Sequence, residues 1–226
     1  MATHLDLEEQ EQLDQLKAFW KQYGNLITWL LVLLLGGYAA WNGWNAYQRD
    51  QGQKAGSLYD ELDRAAQAGD SDRATRIFAD MKERYPGATF THQAGLLAAR
   101  VAAEKGQYDA ATASLAWVAD KAGDDEYRAI AHLRLAGLLL DTKKYEEALK
   151  QVDAVSGGPE FIALANDRRG DILLTQGKTA EAQAAYLKAW TAMDPKLDYR
   201  RVVEAKLNVL GVQPAAPAAS GVEATK

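Results

Sequence analysis

The first fifth of the chain carries one long, uncharged hydrophobic run. From Gln22 to Gln48 there is no Asp, Glu, Lys or Arg, and the residues at 26–44 are mostly apolar. Their apolar side chains would surround a helix on all sides, and about 20 residues at roughly 1.5 Å each cross a hydrocarbon core of about 30 Å. Aromatic residues suited to the headgroup layer flank the run: Trp20, Tyr23, Trp41, Trp44 and Tyr47. The pattern predicts a transmembrane helix over 25–46.

Two other interpretations of this run are a cleaved signal peptide and the buried core helix of a soluble domain. Signal peptides begin with a short positive stretch, whereas the segment 1–24 is long and opens with acidic residues: Asp6, Glu8, Glu9, Glu11 and Asp14. The run is also longer than a signal peptide requires. We therefore expect a retained anchor, with the core helix as the alternative.

Three small residues share one face of the predicted anchor. Gly36, Ala40 and Gly43 follow one another at i, i+4 and i+7. Small side chains let a second membrane helix approach closely, so this face is a hypothetical partner surface. The alternative is that Gly and Ala are simply frequent in membrane helices.

Beyond the anchor, hydrophobic positions repeat with a period in the mid-thirties. Alanines at 74, 111, 148 and 182 each follow a tight turn, and bulky or small apolar residues follow each alanine at i+4 and i+7. Those residues are Phe78, Leu115, Val152 and Tyr186 at i+4, and Met81, Val118, Val155 and Ala189 at i+7. This spacing is one helix face, so we interpret it as the inward stripe of the second helix in four helical hairpins.

Small and helix-ending residues support this repeat. Ala182, with Gly170 on the preceding helix, would allow a close helix crossing, and Pro86 and Pro195 would end second helices. Residues 199–210 predict one further amphipathic helix that closes the stack. The expected fold class is all-α: a single N-terminal transmembrane helix, then a tetratricopeptide-like helical-hairpin solenoid over 47–212. An irregular helical domain is the alternative, and the Pro- and Ala-rich residues 213–226 predict a disordered tail.

Composition removes several classes of function. Charged residues make up 25% of the chain, the net charge is −5, and no basic cluster suggests nucleic acid as a partner. There is no cysteine, which excludes disulfides, thiolate catalysis and Cys-bound zinc. His4, His92 and His132 are far apart, and we expect the latter two to be solvated or half-buried. We expect no catalytic, cofactor-binding or metal-binding residues and no enzyme activity.

The remaining candidate for function is the concave surface of the solenoid, where such stacks usually bind protein. Tetratricopeptide geometry would place on it seven residues of the first helices: Tyr59, Asp63, Leu96, Arg100, Leu133, Asp167 and Asp171. An apolar centre with a charged rim is typical of transient interfaces. The orientation across the membrane stays open, because Lys17 and Lys21 on one side balance Arg49 and Lys54 on the other.

Several blocks together resemble the YfgM family of Gram-negative bacteria. They are the acidic N-terminus leading into residues 16–25, the single span, the segment Asp167 to Lys178 followed by Ala182 and Tyr186, and residues 205–210. The resemblance extends to about Val212. It implies a single-pass (type II) inner-membrane protein with a cytoplasmic N-terminus and a periplasmic repeat domain. It also implies association with the SecYEG translocon and with a membrane-anchored periplasmic chaperone of the prolyl-isomerase-like class.

Two functional hypotheses follow. In the first, the protein is a scaffold at the Sec translocon, held by membrane lipid and its anchor, that helps pass translocating polypeptides to periplasmic chaperones. In the second, it is a membrane adaptor that sequesters or protects an envelope stress-response regulator. The acidic segment before Lys17 makes the second conceivable.

Overall fold

The regular structure in the described part of the chain is entirely helical, as expected. The computed structural model describes residues 7–214. The helices are α1 Leu7–Gln67, α2 Ser71–Arg84, α3 Thr89–Glu104, α4 Tyr108–Lys121, α5 Asp125–Asp141, α6 Tyr145–Asp153, α7 Pro159–Thr175, α8 Thr179–Ala192 and α9 Tyr199–Val209. His4, Asp6 and the tail from residue 215 onward lie outside the described residues.

The chain divides into two compact units, Met1–Gln51 and Gly52–Lys226. In the first unit, α1 is long and apolar enough to cross a membrane, and only 6% of its most hydrophobic window is buried. The core helix of a soluble domain would be mostly buried, so this exposure favours the anchor. Inside the run, the Thr28 hydroxyl donates to the Gly24 carbonyl at 2.8 Å, so this hydroxyl is satisfied within the helix.

The second unit is a stack of antiparallel helical hairpins. α3 packs on α4, α5 on α6 and α7 on α8, and each hairpin also contacts the next one along the chain. Before them, residues 52–67 of α1 stand beside α2, where Arg73 Nη2 and Glu61 Oε1 form an ion pair at 2.8 Å. α9 packs on α8 at the other end. This arrangement confirms the tetratricopeptide-like fold.

The four register alanines are completely buried: Ala74, Ala111, Ala148 and Ala182. The side chains four residues further on are also buried, from Phe78 in the first repeat to Tyr186 in the last. One detail of the prediction is wrong. α6 ends at Asp153 and is capped by Ala154, so Val155 fills its core position from the following linker and not from the helix.

A left-handed residue ends the first helix of every repeat. Gly69, Gly106, Lys143 and Gly177 have φ values of 67°, 74°, 60° and 77°, and they recur at intervals of 34 or 37 residues. Each donates its N–H back into the last helical turn, as in Gly106 to the Ala103 carbonyl at 2.9 Å. Only the third repeat uses a residue with a Cβ at this position.

The same turn ends α9, where Gly211 has a φ of 78°. Gly211 lies 34 residues after Gly177, and the Val212 N–H donates to the Leu207 carbonyl at 2.9 Å. The terminal helix therefore occupies the place of a first helix in a fifth repeat that has no second helix among the described residues. Its buried residues, Val203 and Leu207, close the end of the stack as predicted.

Candidate functional site

The first helices of the repeats line a continuous groove made of three adjoining cavities. The largest, about 420 Å³, lies between α3, α5 and α7 and is bordered by Leu96, Arg100 and Arg168. A second cavity of about 260 Å³ is bordered by Leu133 and residues of α7, and a third of about 200 Å³ by Tyr59 and residues of α3. Arg134 on α5 borders all three cavities and so stands at the centre of the groove.

Most of the predicted surface residues meet in this groove. Tyr59, Leu96 and Arg100 border the same cavity, and Leu133 and Asp167 border the next. Burial raises the pKa of the Tyr59 phenol, and the nearby charge of Asp63 adds to this rise. Asp63 itself borders none of the three cavities; its carboxylate accepts a hydrogen bond from Gln67 Nε2 at 2.7 Å.

Asp167 and Asp171 belong to an internal polar network. Asp167 is 3% exposed, and its carboxylate accepts hydrogen bonds from the Tyr199 hydroxyl at 2.8 Å and from Lys206 Nζ at 2.8 and 3.0 Å. Asp171 accepts from the same Lys206 Nζ at 2.7 Å and from the Tyr186 hydroxyl at 2.8 Å. The two carboxylates thus fasten α9 to α7 and α8, and their oxygens are occupied within the domain.

The tyrosines of this network are held in the protonated state. Burial raises the pKa of Tyr186 well above its ordinary value, and the hydrogen bond to Asp171 raises it further. Burial and the hydrogen bond to Asp167 raise the pKa of Tyr199 in the same way. A phenol donates a hydrogen bond only in its neutral form. The raised pKa values therefore agree with the hydrogen bonds from Tyr186 to Asp171 and from Tyr199 to Asp167. This arrangement joins helices and offers no acid and base to a substrate.

The arginines of the groove carry its positive charge. Arg100 Nε lies 3.8 Å from Glu104 and Arg168 Nη1 lies 3.5 Å from Asp171. Arg134 Nη1 donates to the Leu96 carbonyl at 3.4 Å, and it forms no ion pair with any described residue. Desolvation lowers the pKa of Arg134, and the positive charge of Arg100 lowers it further.

Sequence reasoning missed Arg134, Arg168 and Tyr199 as groove residues. A signal was present in the sequence, because Arg134 and Arg168 are 34 residues apart, the same interval that separates the turn residues Lys143 and Gly177, while Arg100 lies about one helical turn nearer the end of α3. Arginine on an exposed helix face is unremarkable by itself. It becomes informative once Arg134 and Arg168 are placed at the same position of α5 and α7, with Arg100 beside them on α3.

The two described histidines differ from each other. His132 is half-buried, as expected, and its Nδ1 lies 2.8 Å from Gln151 Oε1. His92 is only 4% exposed, more buried than expected, because it lies in the core at the start of α3 with Nε2 3.2 Å from the Pro86 carbonyl. Burial lowers its pKa. Within residues 7–214, no group of three or more His, Asp or Glu side chains could hold a metal ion.

The small-residue face of α1 is open in the first unit. A Cβ added to Gly36 or Gly43 would meet no described atom within 4 Å. The residues Gly36, Ala40 and Gly43 therefore stay a predicted partner face, with room for another helix.

Comparison with known proteins agrees with this architecture. A family profile described as a tetratricopeptide repeat-like domain matches residues 17–212. A protein of Neisseria gonorrhoeae named ancillary SecYEG translocon subunit is 31% identical over 93% of this chain and 100% of its own length. Proteins of the same name from Escherichia coli and Haemophilus influenzae are 27% and 28% identical, over 90% and 81% of this chain and 97% and 89% of their own lengths.

Proposed function

Because the chain belongs to the family of ancillary SecYEG translocon subunits with a tetratricopeptide repeat-like domain, we propose that it is a membrane-anchored protein-binding scaffold of the Sec translocon. The observation that carries this proposal is the full-length match at 31% identity, which includes the anchor as well as the repeats. The exposed apolar helix and the open groove supply the two surfaces that a scaffold requires.

The proposed location is the inner membrane, with the N-terminal segment in the cytoplasm and the repeat domain in the periplasm. Flanking charges favour neither orientation. Family resemblance supports the periplasmic placement of the repeats. The test is a reporter active only in the periplasm, fused after Val212, with the same reporter fused before Leu7 as the matched control. The first fusion should be active and the second inactive; the reverse pattern would refute the orientation.

The proposed role of the repeat domain is to help pass translocating polypeptides to a membrane-anchored periplasmic chaperone of the prolyl-isomerase-like class. The groove supports this role, because its arginines and the half-buried Tyr59 and Leu133 remain accessible while the acidic pair on α7 is occupied. A photo-crosslinking residue at Leu133 inside the groove should capture the chaperone or a translocating chain in living cells. The same residue at Ala113, exposed on the second helix α4, should capture much less. Equal capture at both positions would remove the groove from the proposal.

A second candidate function is an adaptor that sequesters or protects an envelope stress-response regulator. The observation in its favour is the acidic N-terminal segment, in which Glu11 and Asp14 are exposed. Asp14 is paired with Lys17 at 3.1 Å, and both side chains are largely exposed, so this pair is weak and leaves the segment's negative charge available. Replacing Glu11 and Asp14 with Gln and Asn should abolish binding of a regulator by this segment while leaving translocon association intact.

A further inference from the structure

The groove contains three arginines that come from three successive first helices. Arg100, Arg134 and Arg168 lie on α3, α5 and α7, one on each first helix, at 34-residue intervals. α3 contacts α5, and α5 contacts α7. All three arginines border the same cavity, together with the apolar side chains Leu96 and Leu138.

The neighbouring acids neutralise these arginines only in part. Glu104 and Asp141 border the same cavity, and Glu104 faces Arg100 at 3.8 Å with both side chains more than 60% exposed. Exposed pairs of this kind are weak because water screens them. Arg168 Nη1 lies 3.5 Å from Asp171 Oδ2, and the same carboxylate also accepts from Lys206 and Tyr186 through Oδ1, so its charge is shared. Arg134, in the middle, has only the Leu96 carbonyl as a partner in the described chain.

We propose that this groove binds an acidic, extended polypeptide segment of a partner protein, with carboxylates of the segment paired to Arg134 and its two neighbours. The inference rests on the proposed function and specifies the chemistry of the partner. Guanidinium groups bind carboxylates through two parallel hydrogen bonds, and the half-buried Leu133, which borders the adjoining cavity with Arg134, would contact the aliphatic parts of the ligand.

The spacing of the helices sets the spacing of the ligand charges. Neighbouring packed helices are about 8–10 Å apart, and an extended chain rises roughly 3.3 Å per residue. Carboxylates at every third residue of an extended segment therefore match Arg134 and Arg168, which hold the same position on α5 and α7, while Arg100 lies about one turn nearer the end of α3. A carboxylate bound at Arg134 would also offset the positive charge of the neighbouring Arg100.

The experiment measures binding of two labelled peptides to the full chain in mild detergent by fluorescence anisotropy. One 12-residue peptide carries Glu at every third position among Ser and Ala, and the other carries Gln at those positions. The Glu peptide should bind at least about tenfold more tightly, and the difference should shrink at high salt. Equal affinities for the two peptides would overturn the inference, and this comparison requires no substitution in the protein.

Two variants locate the site. Arg134→Gln should weaken binding of the Glu peptide by about tenfold. Arg76→Gln removes one exposed arginine from the second helix α2 and should leave binding within about twofold. Circular dichroism melting checks that Arg134→Gln is folded. Equal effects of the two variants would refute the groove as the site.

Recovery of SecY with each preparation separates this inference from the proposed function. If SecY co-purifies but the Glu and Gln peptides bind alike, the groove chemistry fails and the scaffold proposal stands. If the Glu peptide is preferred but SecY is not recovered, the arginine site stands and translocon association fails.

Discussion

The ring of Tyr186 on α8 lies directly against the backbone of Gly170 on α7. A Cβ built on Gly170 would lie 2.4 Å from Tyr186 Cε1, far closer than the side chain allows without moving. Gly95 on α3 has the same role in an earlier repeat, where a Cβ would lie 2.4 Å from Val118 Cγ2. Packing of these two hairpins thus depends on glycine at the crossing of their helices.

Gly170→Ala should destabilise the repeat domain although alanine favours helix. Alanine in a helix is intrinsically about 1 kcal/mol better than glycine, whereas overpacking a closely packed core costs about 1–3 kcal/mol. We expect a net loss of stability in denaturant unfolding of the full chain followed by circular dichroism.

Gly137→Ala on α5 is the matched control. A Cβ at this position would contact the Arg168 guanidinium at an ordinary 3.6 Å. This variant should be neutral or more stable by up to about 1 kcal/mol. Stabilisation by both substitutions would show that the crossing of α7 and α8 is looser than described.

Lys143→Gly should stabilise the third repeat. Lys143 is the one non-glycine residue with positive φ in the described chain, and a left-handed conformation costs a residue with a Cβ about 1–2 kcal/mol. Glycine relieves this strain but loses more entropy on folding, so we expect a net gain of about 0.5–1 kcal/mol. The measurement is again denaturant unfolding.

Gly177→Ala tests the same turn in the opposite direction. Gly177 has a φ of 77° and a Cβ there would meet no atom within 4 Å, so only the backbone conformation is affected. The Gly177→Ala variant should lose about 1 kcal/mol of unfolding free energy. If neither variant changes stability, the turns do not constrain the repeats in the way that their φ values indicate.

Stability should fall at high pH because of the buried tyrosines. The folded state raises the pKa of Tyr186 above the ordinary value of 10.0, so the unfolded phenol loses its proton first as the pH rises. The stabilisation is therefore complete below pH 10 and declines above it. Tyr186→Phe should lower stability at pH 8 by about 1 kcal/mol, since it removes the donor to Asp171, and should reduce the decline above about pH 10.

Tyr108→Phe is the control for this pH dependence, because Tyr108 is 46% exposed and makes no such hydrogen bond in the described chain. Its unfolding should follow the unsubstituted protein at every pH. The Tyr186→Phe variant should still lose some stability at high pH, because the pKa of Tyr199 is also raised in the folded state. An identical decline in all three proteins would contradict the assignment to Tyr186.

The helices and their register could be predicted because they depend on local periodicity. Ala182 and Tyr186 are both buried, and their spacing of four residues on one helix face predicts this from the sequence alone. The Asp167–Lys206 ion pair could not be predicted in this way, since its partners are 39 residues apart and meet only after α9 has packed on the stack. Asp167 therefore looked like a surface charge of the groove, whereas the structure uses it to hold the terminal helix.

Lys143 shows a second limit of sequence reasoning. A lysine in the place of glycine gives no local sign of a left-handed turn, and only the neighbouring repeats, with Gly106 and Gly177, indicate it. Arg134 shows the same limit for the groove. Its position becomes meaningful when α3, α5 and α7 are placed side by side.

The most direct test of the account is recovery of SecY with the full chain purified in mild detergent, compared between two pairs of leucine substitutions in the anchor. Gly36→Leu with Ala40→Leu places bulky side chains on the proposed partner face, where close helix packing requires small ones. Gly37→Leu with Ala46→Leu adds similar bulk about a quarter-turn away on either side of that face. The account predicts that SecY is recovered with the unsubstituted protein and the second pair and is largely lost with the first. Absence of SecY from the unsubstituted protein, or equal recovery with both pairs, would contradict it.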